Sequence, residues 1–159
     1  MAMQMALLPP VQYNIDSDVE LEAKLASKGL KVVEIFSEWC GPCKSVLPTF
    51  RRIRLDRDDE NALLFLTVPA EKCNFLEAAK EHRGKSEPLF LLYRNGQLKV
   101  RIEGANTPAL NQQVLLLTPA NADVDDLEEN PIYLAKQERE RIARGETVKD
   151  AKSNKKGKK

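Results

Sequence analysis

Metal-binding side chains are scarce in this chain, which has three cysteines and one histidine in 159 residues. Cys40 and Cys43 are separated by two residues, but a zinc shell needs about four ligands. Only Cys73 and His82 remain, with no second paired cluster, so the pattern argues against a metal site. Three cysteines also make no disulfide framework of the kind that staples small secreted domains. No apolar run approaches the ~18 residues of a membrane-spanning helix. The stretch Met5-Ala-Leu-Leu is too brief for the core of a secretory signal and reads as part of a flexible lead-in over residues 1–10. Charge of one sign is missing too: 25 Lys and Arg against 24 Asp and Glu leave a formal +1, which gives no ground for nucleic acid or membrane as partner. The expectation is a soluble protein of a reducing compartment that holds no cofactor.

The most informative segment is Trp39-Cys40-Gly41-Pro42-Cys43-Lys44. Two intervening residues let a pair of thiols close a reversible disulfide, and Gly-Pro between them suits a turn that starts a helix. A helix N-terminus at Cys40 would favour its thiolate through the unpaired N–H groups and the helix dipole. Cys40 is then the attacking thiol, and Cys43, one turn further on, the resolving one.

The flanking pattern sets this pair in an alternating α/β chain. Residues 31–36 form a short β-branched apolar run that suits a buried strand leading into the cysteines. A helix over 41–57 follows, with a kink expected at Pro48. Residues 62–68 read as a second buried strand and 70–83 as a helix with Cys73, a passive thiol, near its start and His82 on its surface. The run from Pro88 to Tyr93, the pair Asn95-Gly96 and the alternating stretch 97–103 predict a β-hairpin. Thr107 and Pro108 predict the opening of a helix to about Leu117, and Ser17 with Glu20 a capping box for a helix stopped at Gly29. The order is β-α-β-α-β-α-β-β-α.

With Val33 to Lys44, Pro48, Pro88, Asn95-Gly96 and Gly104, residues 11–118 resemble the thioredoxins. The resemblance implies a thioredoxin fold of the α/β class: a central mixed sheet flanked by helices, with Pro88 in cis beside the dithiol. It also implies a target-binding surface of Trp39, Gly41, Pro42, Glu87, Pro88 and Gly104. Two positions depart from the family. Glu34 stands where thioredoxins bury an aspartate as proton relay, one methylene longer, and Glu87 puts a carboxylate where an apolar residue precedes the proline. That carboxylate would lie close to Cys40, where it opposes thiolate formation and repels acidic targets. The segments Arg83-Gly84-Lys85-Ser86-Glu87-Pro88 and Gly104-Ala105-Asn106-Thr107-Pro108 further resemble the thioredoxin-like light chains of axonemal outer-arm dynein. That likeness implies a dynein heavy chain and other outer-arm subunits as partners, protein thiols or disulfides as targets, and a place in the cytoplasm and cytoskeleton of the cilium or flagellum.

Residues 119–159 make a charged, partly helical extension. Between Asp123 and Asn130 there are five carboxylates and no base, and the helical composition of Ile132 to Arg144 has few apolar residues. Such a helix is expected to bury itself poorly on its own domain, leaving a solvated extension or one that orders on a partner. From Ser153 onward, four lysines in seven positions offer a weak contact to acidic tubulin tails, against a merely solvated run. Two functional readings stay open: a subunit of the motor with a working or redox-sensing dithiol, and a free cytosolic reductant of protein disulfides.

Overall fold

The computed structural model describes residues 10–145. The chain runs β1 (Gln12–Asn14), α1 (Asp18–Leu25), β2 (Leu30–Phe36), α2 (Leu47–Asp56), β3 (Leu63–Pro69), α3 (Glu77–Glu81), β4 (Leu89–Arg94), β5 (Gln97–Glu103), α4 (Thr107–Leu117) and α5 (Pro131–Ala143). Single 3-10 turns fall at Ala70–Lys72, Ala122–Val124 and Leu127–Glu129. One five-stranded mixed sheet has the order β1-β3-β2-β4-β5. β1, β3 and β2 run parallel, and β4 and β5 are antiparallel to their neighbours.

The central strand explains the apolar runs of the sequence, because both of its faces are covered. Leu30 and Val32 face a core of Val46, Phe50 and Ile53 from the α2 side and Leu110 and Val114 from α4. There Phe50 stacks on Phe65 at 4.4 Å and meets Phe90 edge-on at 5.9 Å. Val33 and Ile35 face the opposite core, built with Leu21 and Leu25 of α1 and Leu76 and Ala79 around α3. At the hairpin, Asn95 (φ 49°) and Gly96 (φ 76°) both take positive φ, as a two-residue primed turn requires.

Several helix limits differ from expectation, each for a local reason. α2 opens at Leu47, and Pro48 sits in its first turn and introduces no kink. The predicted helix over 70–83 is broken into a 3-10 turn and the short α3. Side chains satisfy the backbone that a continuous helix would have used. The Asp18 carboxylate accepts from the N–H groups of Asn74 (3.0 Å) and Phe75 (3.1 Å). Arg83 donates to the carbonyls of Ala70 and Cys73, each at 2.9 Å. Asn106, not Thr107, caps α4 by accepting from Ala109 N–H at 3.2 Å. Ser17 does cap α1, but that helix ends before Gly29. Gly29, at φ +90°, is needed elsewhere: a Cβ there would stand 2.3 Å from the Asn61 carbonyl oxygen.

The segment after α4 returns to the sheet and docks through polar contacts. Asp125 accepts from Gly29 N–H at 2.9 Å and pairs with Arg94 at 3.1 Å. Asn130 is fully buried. Its Oδ1 accepts from Ile132 and Tyr133 N–H, both at 3.0 Å, while its amide donates to the Leu25 carbonyl at 3.1 Å. The same side chain fills the space over Gly96, where a Cβ would come within 1.9 Å of Asn130 Oδ1. α5 has no buried residue of its own, in keeping with its composition, and an Arg139–Glu22 ion pair lays it along α1. The expected lead-in and the lysine run from Ser153 lie outside the described residues, apart from Pro10. Losing a buried, multiply bonded cap leaves several backbone groups unpaired. Asn130→Ala is therefore expected to lower the unfolding free energy by about 2–3 kcal/mol, measured by urea denaturation; a loss below about 0.5 kcal/mol would mean that the segment is not seated as described.

Candidate functional site

β2 ends at Phe36 and delivers the cysteine segment to the end of the sheet opposite the Asn95-Gly96 hairpin. Ser37 gathers the turn. Its carbonyl accepts from the N–H groups of Cys40 and Gly41, each at 3.0 Å. Its buried hydroxyl donates to the Lys85 carbonyl at 2.6 Å, which ties the cysteine turn to the loop that leads into Pro88. Gly41 takes φ +76°, a left-handed conformation suited to glycine. Cys40 is exposed and Cys43 half-buried, both as free thiols, and Cys43 Sγ lies 3.1 Å from Ser45 Oγ. Trp39 is 68% exposed, a large apolar surface beside Cys40.

No helix begins at Cys40, contrary to expectation. Residues 38–40 form a turn, 41–46 are irregular up to a turn at Ser45 and Val46, and the nearest helix opens at Leu47. Pro42 has no N–H to give, and the Cys43 N–H is directed out of any helical ladder to Glu34 Oε2 at 2.7 Å. The helix dipole thus has no terminus at Cys40 from which to act.

Glu34 is fully buried behind the turn. Besides the Cys43 N–H, its carboxyl receives Gln12 Nε2 of the edge strand β1 on Oε1 at 2.9 Å. Burial pushes the carboxyl above its ordinary range, and the donations from Gln12 and Cys43 pull partly back. The structure thus sets the Glu34 carboxyl against the backbone N–H of Cys43. It adds Gln12 and Ser37, which sequence reasoning missed. A polar residue at an inward position of a strand was the available signal for Gln12.

The other expected contributors form a neighbouring group. Gly104 N–H donates to the Pro88 carbonyl at 2.8 Å, and the Glu87 carboxylate lies over Gly104, 3.4 Å from where a Cβ would stand. The bond before Pro88 is trans, not cis. The Glu87 carbonyl lies 2.5 Å from His82 Nε2, so His82 is a buried strut of this loop and not the helix-surface residue expected. Cys73 lies buried in the opposite core, where desolvation pushes its thiol up, away from nucleophilic character. Among the described residues no cluster of three or more His, Cys, Asp or Glu is arranged to hold a metal.

A mixed sheet of this order, with a Cys-x-x-Cys turn at the end of its central strand and helices on both faces, defines the thioredoxin fold class. The thioredoxin family profile matches residues 12–115, and the chain belongs to that family. Among curated relatives, it is 90% identical over 152 residues to the dynein 16 kDa light chain of the flagellar outer arm of Chlamydomonas reinhardtii, covering 96% of this chain and 97% of that protein. It is 41% identical over 92 residues to the dynein 14 kDa light chain of the same outer arm, covering 58% of this chain and 68% of the relative. Among solved structures, the oxidised mitochondrial thioredoxin 3 of Saccharomyces cerevisiae superposes with a TM-score of 0.53 at 26% identity, over 66% of this chain and 94% of that one.

The raised carboxyl of Glu34 has a consequence for stability. Between its ordinary value of 4.5 and its higher folded value, the folded protein keeps a proton that the unfolded chain has released. That contribution to stability is full below 4.5 and is lost as pH rises through the folded value. Urea unfolding of wild type and Glu34→Gln from pH 4.5 to 7.5 is expected to show the variant gaining on wild type as pH rises; parallel curves would contradict the raised carboxyl.

Proposed function

We propose that this chain is a thioredoxin-like light chain of a ciliary or flagellar outer-arm dynein, with a dithiol at Cys40 and Cys43 that regulates or senses neighbouring protein thiols. One observation carries the subunit reading: identity of 90% to an outer-arm light chain across nearly the whole of both proteins. The accessible Cys40, the exposed Trp39 and the carboxyl behind Cys43 support the chemical reading. The partners are then a dynein heavy chain and other outer-arm subunits, and the location is the axoneme.

In the exchange, the Cys40 thiolate attacks one sulfur of a target disulfide; a Cys40–target bond forms and the other target sulfur leaves as a thiolate. Cys43 gives its proton to a base, for which Glu34 is the candidate, and its sulfur attacks Cys40. The Cys40–Cys43 disulfide forms and the second target thiolate departs. Two electrons pass from the two cysteines to the target, whose departing thiolates take up protons from water; the two protons of the cysteines go to water, the one from Cys43 by way of its base. Trp39, Gly41, Pro42, Glu87, Pro88 and Gly104 are the surface on which the target polypeptide would lie. A free cytosolic reductant would use the same chemistry on many proteins and would need no attachment to the motor.

Cys43→Ser blocks the second step, so mixed disulfides through Cys40 should accumulate. In isolated axonemes the variant is expected to trap a small set of large polypeptides, seen as bands on nonreducing gels that vanish with reductant. Absence of such bands while the light chain still co-purifies with the outer arm would remove the redox role and leave a docking subunit. Trapping of many soluble proteins without that co-purification would favour the free reductant.

A further inference from the structure

β1 is a three-residue edge strand, yet two of its side chains are polar and turned to the same sheet face as Phe65, the face packed against α2 and α4. Asn14 accepts from the Thr67 hydroxyl at 2.6 Å, and Gln12 reaches past the apolar cluster to the Glu34 carboxyl at 2.9 Å. A side chain that only filled space at position 12 would be apolar, since an unpaired amide facing a core is costly. The Gln12 amide is matched to Glu34 in either of its charge states. Its N–H donates to the carboxylate, and after a flip its oxygen accepts from the carboxylic acid. In both states Glu34 Oε2 can keep the Cys43 N–H, so the turn need not move when the proton does.

We infer that Gln12 is a positioning residue: its amide holds the Glu34 carboxyl against the Cys43 backbone and so governs when that carboxyl takes up or releases a proton beside the second thiol. The inference rests on the dithiol reading above for its role in exchange, but its structural half stands apart from it. The groups set against Glu34 are Gln12 from β1, Cys43 from the turn and, as strand partners, Thr67 of β3 and Phe90 of β4. Of these only Cys43 titrates, so an uncharged amide is the adjustable neighbour.

Two full-length variants test this with opposite signs. Gln12→Leu removes a donor that favours the carboxylate, and Gln12→Lys replaces it with a charged donor. The first readout is the Glu34 carboxyl titration followed by carbon-13 NMR in the reduced protein. The second is the pH dependence of thiol release from a preformed Cys40 mixed disulfide. Leu is expected to move both midpoints up and Lys to move both down. At pH 7 the Leu variant should release thiol about three- to tenfold more slowly. A merely structural role would lower rate or stability at every pH without moving either midpoint, and unmoved Glu34 midpoints in both variants would overturn the inference. If the Glu34 midpoints move in opposite directions while even wild type releases no thiol, the hold of Gln12 on Glu34 is upheld and the exchange reading falls.

Discussion

The hydrogen bond from the Cys43 amide to the buried Glu34 carboxyl is the constraint around which this end of the molecule is built. A carboxyl with no access to water needs donors from the protein, and its strand partners supply none: Phe90 has no polar side-chain atom, and the Thr67 hydroxyl donates to Asn14. The donors come from the turn beyond β2 and from the edge strand β1, so both are drawn to one point. With the Cys43 amide committed there, the helix starts four residues later at Leu47 and the cysteines remain in a turn. The length of the glutamate side chain, one methylene beyond aspartate, is what lets the carboxyl reach backbone on one side and β1 on the other.

What could be read from the sequence was whatever repeats or sits within a few residues. The strands over 31–36 and 62–68 were legible because burial on both faces makes them mostly apolar, Lys31, Glu34 and Thr67 apart, and Asn95-Gly96 because its turn demands positive φ twice. Cys40, Cys43 and Glu34 were legible as a group from spacing and family resemblance. Several misses share one cause: a polar side chain that engages backbone nine or more residues away. Asp18 and Arg83 interrupt the helix expected over 70–83, Glu34 delays the one expected from 41, and Asn130 closes the Asn95-Gly96 hairpin. Such contacts join single residues nine to 56 positions apart and leave no period to detect. The inward His82 is a local case, held by its ring nitrogen against the Glu87 carbonyl five residues on.

The sheet divides the molecule into two ends with different chemistry. Where β2 ends, thiols, an exposed indole and a buried carboxyl stand together, tied by the Ser37 hydroxyl to the Lys85 loop. Where β2 begins, Asp125 and Asn130 bind the returning chain to Gly29, Arg94 and Leu25. Polar seating of this kind is directional, and it fixes the path of α5 with little apolar contact beyond the half-buried Ile132. The helix keeps Leu134 at 39% and Ile142 at 52% exposure.

The seating of Asn130 also bears on mechanics. β2 spans seven residues, which separates the fastened end from the thiol turn by roughly 20 Å. Tension applied along α5 would pass the surface pair of Arg139 with Glu22 and then load the Asn130 side chain, to be shared among the carbonyl of Leu25, the tip of the β4–β5 hairpin and the salt link at Arg94. The strain would be spent in shear at that edge, and the reactive turn would ride as an unloaded passenger at the far side of the sheet.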